Sequence, residues 1–243
     1  PFWGLRGFRP TEEIRDEFTT VELTSADVSL DLPEQEDQLQ EFFKSLLLLP
    51  EPSRRELIAA AVSLAKGRWK RATGDLLPEI GDPIARYYWV LRIADEHPGD
   101  VGILAPLILN VFSLRPGEAT YQPVGVLHAY LNGVGAEVMA NSDNVLRGGM
   151  TVKHVDVDEL MRVGRFRSEE PAVVHGTADD ASAGTCSRFD YDVPFSEFAF
   201  SRVVSGSECT VTGGTAQILF CHDGPVRLLS GKQDLQLERG EAV

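Results

Sequence analysis

The hydrophobic period of this sequence changes once, close to Pro98, and that change limits the folds the chain can adopt. Before Pro98, apolar residues recur at the three- and four-residue spacing of an amphipathic helix. After Pro98, short apolar runs are bounded by Gly, Pro and Asn, which is typical of the strands of a sandwich or barrel. We therefore predict a mainly β protein with an α-helical subdomain over residues 34–98.

Three segments carry the helical pattern. EDQLQEFFKSLLLLP places its apolar residues on one helix face, and the helix is expected to stop at Pro50. In SRRELIAAAVSLAKG, Ser53 is in position to be the N-cap of a second helix, with a glutamate three residues later. A third helix is predicted to open at Asp82 and to end at His97.

Short strands are predicted in the rest of the chain. VFSL, ATYQP, HAYL and AEVMA have the length and the boundaries of strands, and a helical turn is expected in VDVDELMRVG. Strands resume with FAFSRVVSG and with TAQILFCHDGPVRLLSG. In the second of these, Asp223-Gly224 is expected to form a tight hairpin turn.

The composition excludes several classes of partner. The formal net charge of −14 argues against a nucleic-acid surface, which needs clustered Lys and Arg to displace counterions. No apolar run approaches the length of a membrane span, and no signal for secretion opens the chain. The three cysteines, Cys186, Cys209 and Cys221, show no CxxC spacing and favour reduced thiols in the cytoplasm over a disulfide.

Ionisable residues gather in the stretch YQPVGVLHAYLNGVGAEVMANSDNVLRGGMTVKHVD, at predicted strand ends and turns. Such positions often build a site, because loops on a rigid scaffold can direct side chains at a ligand. His128 is the one plausible metal ligand, although a lone His in a strand is more often a packed or surface residue. Tyr130 lies two residues on and shares a strand face with His128, where it lines either a site or a core.

Three further residues have a structural and a functional interpretation. Glu137 is either an edge-strand charge in water or a carboxylate whose partial burial in a cavity suits it to proton transfer. Asp143 lies in a turn, where Asx residues are common for local hydrogen bonding alone. Arg147 would ordinarily be a surface residue, but the two glycines that follow it allow a ligand to approach the backbone closely.

PVGVLHAYL followed by EVMANSDNVLRGGMTVKHVDV closely resembles the signature of type I phosphomannose isomerases, which are zinc-dependent cupin enzymes. GFRPTEEI, FFKSLLLLPE and PGDVGILAPLILNVFSLRPGEA resemble other parts of that family, in the family's order. The resemblance implies cupin (jelly-roll) β-sandwich units that are incomplete at both ends. It divides the chain into a remnant of the catalytic cupin with its connection (1–33), the helical subdomain (34–98), the motif-bearing part of the catalytic cupin (99–165) and a second, truncated cupin-like domain (166–243).

The resemblance also implies the chemistry, which is the interconversion of mannose 6-phosphate and fructose 6-phosphate through an enediolate. His128 would be the last ligand of a single Zn²⁺, and Arg147 would be the catalytic cation beside the developing negative charge. Lys153 would serve the phosphate, and Tyr130, Glu137 and Asp143 would line the substrate site. The family's remaining zinc ligands, in Gln-x-His and Lys-Pro-Glu motifs, have no counterpart in residues 1–243.

One internal echo, LRPGEATYQP at 114–123 and LERGEAV at 237–243, indicates two cupin-like units. The second copy stops before its strand is built, and PFWGLRGFRP begins without a start methionine, so we expect a chain truncated at both ends. Because it has one zinc ligand of four, we expect it to be inactive by itself. The intact protein is expected to be a cytoplasmic, monomeric enzyme that binds a small sugar phosphate. A non-catalytic cupin that binds a sugar is the alternative. A cupin oxygenase is disfavoured, because the five histidines are scattered and not clustered as His-x-His.

Overall fold

A computed structural model describes residues 1–20, 31–69, 77–142, 145–178, 186–206, 208–211, 216–231 and 233–243. The chain divides into two compact units. The first comprises Pro1–Asp179 and Arg188–Arg202, and the second comprises Asp180–Ser187 and Val203–Val243. The predicted combination of sheets with a helical segment is confirmed, and the sheets in the described residues are not closed.

Most of the helices lie in the first half of the chain. Their bounds are α1 Thr11–Thr20, α2 Leu39–Leu47, α3 Glu51–Arg68, α4 Ala85–Glu96, α5 Ala105–Ile108 and α6 Val157–Val163, with short 3-10 helices at Glu36–Gln38 and Val101–Leu104. The apolar face of α2 is buried as its spacing predicted, and it packs in one core with residues of α1, α3, α4 and α5. None of these described helices has both the length and the apolar character that crossing a membrane requires.

Several helix boundaries differ from the prediction. Helix α4 begins at Ala85 and not at Asp82. Helix α3 begins at Glu51 with Pro50 as its N-cap, so Ser53 lies inside the first turn and does not cap it. Pro52 is tolerated there because the first-turn amide groups have no partner inside the helix. The helical part also continues past Pro98 to Ile108, since the Asp100 side chain caps the next 3-10 helix by accepting a hydrogen bond from the Gly102 amide.

In the described residues, ten strands form four small sheets. Their bounds are β1 Phe2–Phe8, β2 Leu109–Leu114, β3 Glu118–Ala119, β4 His128–Asn132, β5 Val174–His175, β6 Thr177–Ala178, β7 Cys186–Tyr191, β8 Phe200–Ser205, β9 Pro225–Ser230 and β10 Gln233–Glu238. The sheets have the orders β2-β1-β4, β3-β5, β6-β7-β8 and β10-β9.

Several strand predictions are wrong. ATYQP contributes only Ala119 to a strand, and residues 216–219 of TAQILF form none. AEVMA forms no strand, since residues 134–140 have no regular backbone pairing. The hairpin of the second unit joins β9 to β10, with Ser230 opposite Gln233, and does not turn at Asp223-Gly224. The expectation of three free thiols is also wrong: Cys186 and Cys209 form a disulfide with their Cα atoms 5.6 Å apart, and only Cys221 is free.

The β2-β1-β4 sheet is the scaffold of the predicted site. β1 is its central strand and pairs antiparallel with both neighbours. On one face of the sheet, Leu5 of β1 and its β4 neighbours Ala129 and Leu131 pack against the helical core. We call this the packed face. The opposite face, which carries Gly4 and Arg6 of β1 and faces away from the helices, is the open face.

Candidate active site

The open face carries the histidine that the sequence singled out. His128 and Tyr130 alternate with the packed residues of β4, so both side chains leave the strand on the open face and both are exposed. Their ring centroids are 5.8 Å apart. In the register with β1, His128 lies opposite Arg6, and Tyr130 lies opposite Gly4.

The His128 ring is oriented by the backbone. Its Nδ1 atom lies 3.0 Å from the carbonyl oxygen of Val126. A carbonyl oxygen can only accept, so Nδ1 donates the hydrogen bond and Nε2 of the neutral ring keeps its lone pair. Metal-bound histidines usually have this arrangement, in which one nitrogen is fixed by a hydrogen bond and the other binds the metal. The orientation of His128 therefore suits a metal ligand.

Tyr130 and Glu137 form a hydrogen-bonded pair. The Tyr130 hydroxyl donates to Glu137 Oε1 at 2.7 Å, and the Tyr130 ring meets Phe2 edge-on with centroids 5.3 Å apart. Burial raises the pKa of the Tyr130 phenol, and the hydrogen bond to Glu137 and the negative charge of that carboxylate raise it further. Glu137 itself is exposed, so the partial burial that its functional interpretation requires is not found.

Arg6 shares the open face and is a residue that the sequence analysis missed. Its side chain is only 1% exposed. Its Nε donates to the Tyr121 carbonyl at 3.1 Å, Nη1 to the Glu170 carbonyl at 2.7 Å and Nη2 to Glu169 Oε1 at 2.8 Å. The signal was a charged residue inside the apolar run FWGLRGF, because an arginine is rarely buried unless it is paired.

Arg147 lies in a loop, residues 145–151, and is exposed. Its neighbours in this loop pack against the core. Leu146 and Met150 are partly buried and pack on the core cluster that includes Leu5. A Cβ atom on Gly148 would lie 3.7 Å from Leu127 Cδ2, which is ordinary van der Waals contact. The loop therefore runs beside Leu127, the residue that precedes His128.

The remaining predicted residues are less informative. Asp143 lies outside the described residues. Lys153 is exposed, and its backbone amide donates to the Thr151 hydroxyl at 3.0 Å. The structure thus brings His128, Tyr130 and Glu137 together. Within the described ranges, no hydrogen bond, ion pair or ring contact joins Arg147 or Lys153 to these three.

The donor set for a metal is partial. In the part of the chain that the structure describes, no three His, Cys, Asp or Glu side chains are grouped so that they could hold a metal ion. Zinc sites in enzymes normally take three protein ligands. His128 therefore fits as one ligand of such a site, and further ligands would have to come from outside the described residues.

A cleft of about 470 Å³ lies elsewhere, along β2 and the start of α4. None of the six predicted site residues lines it. Its two arginines, Arg9 and Arg86, both bind Glu17, at 3.5 and 2.9 Å. Because that carboxylate already neutralises part of their charge, the cleft is a poorer anion site than its residue types suggest.

Known proteins resemble this chain along its whole length. The mannose-6-phosphate isomerase of Escherichia coli K12 is 34% identical over 246 residues, which covers 100% of this chain and 58% of the relative. The chain is a homologue of the mannose-6-phosphate isomerases. The isomerase of Rattus norvegicus is 29% identical over 261 residues. No protein-family profile matches the chain.

Solved structures of the same enzymes share the fold. The mannose 6-phosphate isomerase of Salmonella typhimurium, crystallised with fructose 6-phosphate and zinc, superposes with a TM-score of 0.79 at 30% identity. The zinc-bound form of a mannose 6-phosphate isomerase gives a TM-score of 0.78 at the same identity. Both matches cover 100% of this chain and 58% of the other. The chain thus spans a little more than half the length of the isomerases it matches.

Proposed function

We propose that this chain is part of a zinc-dependent isomerase that interconverts mannose 6-phosphate and fructose 6-phosphate. The observation that carries the proposal is the match along the whole chain to the Salmonella typhimurium isomerase solved with fructose 6-phosphate and zinc. The orientation of His128 supports it independently, because Nε2 is left free on the open face.

On the open face, one residue would bind the metal and two others would bind the substrate. His128 would hold zinc through Nε2, as one ligand of a set completed outside the described residues. When bound, zinc would act as a Lewis acid that polarises substrate oxygen atoms. Tyr130 and Glu137, already hydrogen-bonded to each other, would line the sugar site and exchange that bond for bonds to sugar hydroxyls. Asp143 is proposed to belong to the same site.

Arg147 and Lys153 supply positive charge. Aldose–ketose isomerisation passes through an enediolate, and a fixed cation beside that anion lowers the barrier. We assign this role to Arg147, and we assign the substrate phosphate to Lys153, whose ammonium group is a compact point charge. Both side chains are exposed, and no described ion pair engages either of them. They can therefore offset locally the overall charge of −14, which repels a sugar phosphate.

A non-catalytic, sugar-binding cupin is the alternative function. The absence of a three-ligand group within the described residues favours it. The two functions differ in their metal content. An isomerase must bind zinc stoichiometrically, whereas a binding module would take up the sugar phosphate without it.

The decisive experiment expresses the product of the complete open reading frame and, separately, the 243 residues alone (the printed chain). Zinc content and the conversion of mannose 6-phosphate in a coupled assay are measured for both. We expect stoichiometric zinc and turnover in the complete product, and neither in the printed chain. Turnover by the printed chain would mean that the metal ligands are wrongly assigned, and sugar-phosphate binding without zinc or turnover in the complete product would favour the binding module.

Replacing Arg147 tests the proposed catalytic cation directly. In the complete product, Arg147→Ala should lower kcat by about 100-fold, as expected when a charge acts mainly on the transition state. Its zinc content should not change. Arg167→Ala, which removes another exposed arginine, is the control and should leave both quantities unaltered. A kcat within twofold of wild type in Arg147→Ala would refute the assignment.

The compartment and the oligomeric state stay predictions. We propose a cytoplasmic monomer that binds a sugar phosphate, with no nucleic-acid or membrane partner. The negative net charge supports the absence of a nucleic-acid partner. The Cys186–Cys209 disulfide is unusual for a cytoplasmic protein, so thiol counting on freshly purified protein is a direct check of the location.

A further inference from the structure

The loop that carries Arg147 is bound by a carboxylate from a distant part of the chain. Asp100 Oδ1 accepts hydrogen bonds from the Met150 amide at 3.0 Å and from the Gly102 amide at 2.6 Å. Its Oδ2 accepts a longer one, 3.4 Å, from the Thr151 amide. One side chain therefore joins the residues just after Arg147 to the start of the 3-10 helix Val101–Leu104.

The two segments also approach more closely than side chains would allow. A Cβ atom on Gly102 would lie 2.6 Å from Met150 Cγ and 2.9 Å from the Met150 amide nitrogen. A Cβ atom on Gly149 would lie 3.2 Å from the Gly102 Cα. The backbones of the loop and the 3-10 helix thus pack directly on each other, which requires glycine on both sides.

The conformation of the loop needs this support. Met150 has φ of 53°, and it is the one described residue other than glycine with a positive φ. The left-handed region is unfavourable for a residue with a Cβ, so the surroundings must hold Met150 there. Asp100 does so by binding the Met150 amide itself.

The support is attached to buried core residues. Gly102, Ile103 and Leu104 are buried, and the last two belong to the main core together with helices α2 to α4. A group fixed to such a core can hold a functional side chain to a fraction of an ångström, which loops alone seldom do.

We propose that Asp100 is a positioning residue for Arg147, acting through the Met150 and Thr151 amides to hold the loop in its reactive conformation. Its importance for catalysis rests on the proposed isomerase function, whereas its effect on the loop does not. The two parts can therefore be tested separately.

The first test measures the loop in the printed chain. Trypsin cleaves after Arg147 and, as an internal reference, after the exposed Arg239. Asp100→Ala should speed cleavage at Arg147 by about tenfold, the factor expected when a charge-assisted hydrogen bond is lost. Cleavage at Arg239 should not change. Equal rates at Arg147 in wild type and variant would overturn the proposal.

Two further variants separate the anchor from general stability. Asp100→Asn keeps one oxygen acceptor and should show an intermediate rate, and it carries the test if Asp100→Ala does not fold. Gly102→Ala should also speed cleavage at Arg147, because its methyl group would displace Met150 without removing the carboxylate. Asp95→Ala, an exposed carboxylate on α4, is the matched control and should behave as wild type. Fast cleavage at Arg147 in Asp95→Ala would contradict the assignment. Wild-type cleavage rates in both Asp100→Asn and Asp100→Ala would contradict it as well.

The second test uses the complete gene product. Asp100→Ala should lower kcat by about tenfold with little change in KM or zinc content, and Asp100→Asn should restore part of the loss. A lowered zinc content or an unchanged kcat would refute the positioning role. If the wild-type product itself lacks turnover while the cleavage result holds, the isomerase function fails and the anchoring of the loop stands.

Discussion

The two faces of the β2-β1-β4 sheet are built for different purposes. On the packed face, Leu5 is fully buried against the helices, and Ala129 and Leu131 join the same core. On the open face, His128 and Tyr130 project from the neighbouring positions of the same strand and stay exposed. Within β4, side chains that pack on the core therefore alternate with side chains that we propose for the site.

Substitution of Leu5 should have the largest effect on stability. Leu5→Ala removes a fully buried side chain from the centre of β1 and should lower the free energy of unfolding by about 3 kcal/mol. Urea denaturation followed by circular dichroism measures the change. A loss below about 1 kcal/mol would mean that the packed face does not carry the sheet.

Arg6 is a buried, structural residue on the open face, so this face also contributes to stability. Arg6→Ala removes the donor to the Tyr121 and Glu170 carbonyls and to Glu169 Oε1, and should cost about 2 kcal/mol. The neighbouring Arg167, which is largely exposed, provides the control, since Arg167→Ala should change stability by less than about 0.5 kcal/mol. Equal losses in the two variants would show that the buried contacts of Arg6 are not specific.

His128 should behave in the opposite way to Leu5. His128→Ala removes an exposed side chain and should change the free energy of unfolding of the printed chain by less than about 0.5 kcal/mol. In the complete gene product it should reduce bound zinc and activity together, because a ligand is lost from the metal. Elemental analysis after dialysis measures the zinc, and full zinc occupancy in the variant would remove His128 from the ligand set.

The smallest expected effect is a pH dependence at Tyr130. Its pKa in the folded chain is raised above the ordinary value near 10, so the neutral phenol contributes stability that is fully present below about pH 10. That contribution is lost as the pH rises through the folded pKa, because the unfolded chain releases the proton first. The ultraviolet difference between wild type and Tyr130→Phe isolates this phenol. Glu137→Gln should let it ionise at lower pH, and a wild-type Tyr130 that titrates near pH 10 would contradict the pairing.

Much of the helical part could be predicted from sequence, because its signal is local. The spacing of Leu39, Phe42 and Leu46 marked the buried face of α2, and His97 marked the end of α4. The prediction that Ser53 caps α3 was wrong because a side-chain cap is only one way to start a helix. The segment from Pro50 to Pro52 starts α3 instead. Local rules rank such alternatives without seeing the tertiary contacts that decide between them.

The sequence proposed residues for the candidate site but not the residues that support them. His128 and Arg147 stood out through a motif, which is written in the chain itself. Arg6 and Asp100 are far from that motif in sequence. Arg6 reaches it through strand pairing with His128, and Asp100 reaches it by accepting a hydrogen bond from the Met150 amide. AEVMA has the composition of a strand, but no partner strand in the described residues pairs with it. Long-range pairing of this kind leaves no local periodicity to read.

The position of helices α1 to α5 between two paired strands has a consequence for how the chain reaches this structure. β1 ends at Phe8 and β2 begins at Leu109, yet the Arg9 amide donates a hydrogen bond to the Ile108 carbonyl at 3.0 Å. The intervening segment thus leaves and returns at one point, like a domain inserted into a loop. Closing so long a segment as a flexible coil is slow, whereas helices form from neighbouring residues. We therefore expect the helices to assemble first and to deliver the two strands to each other, so that the folding rate of the sheet depends on the speed of the helical insert.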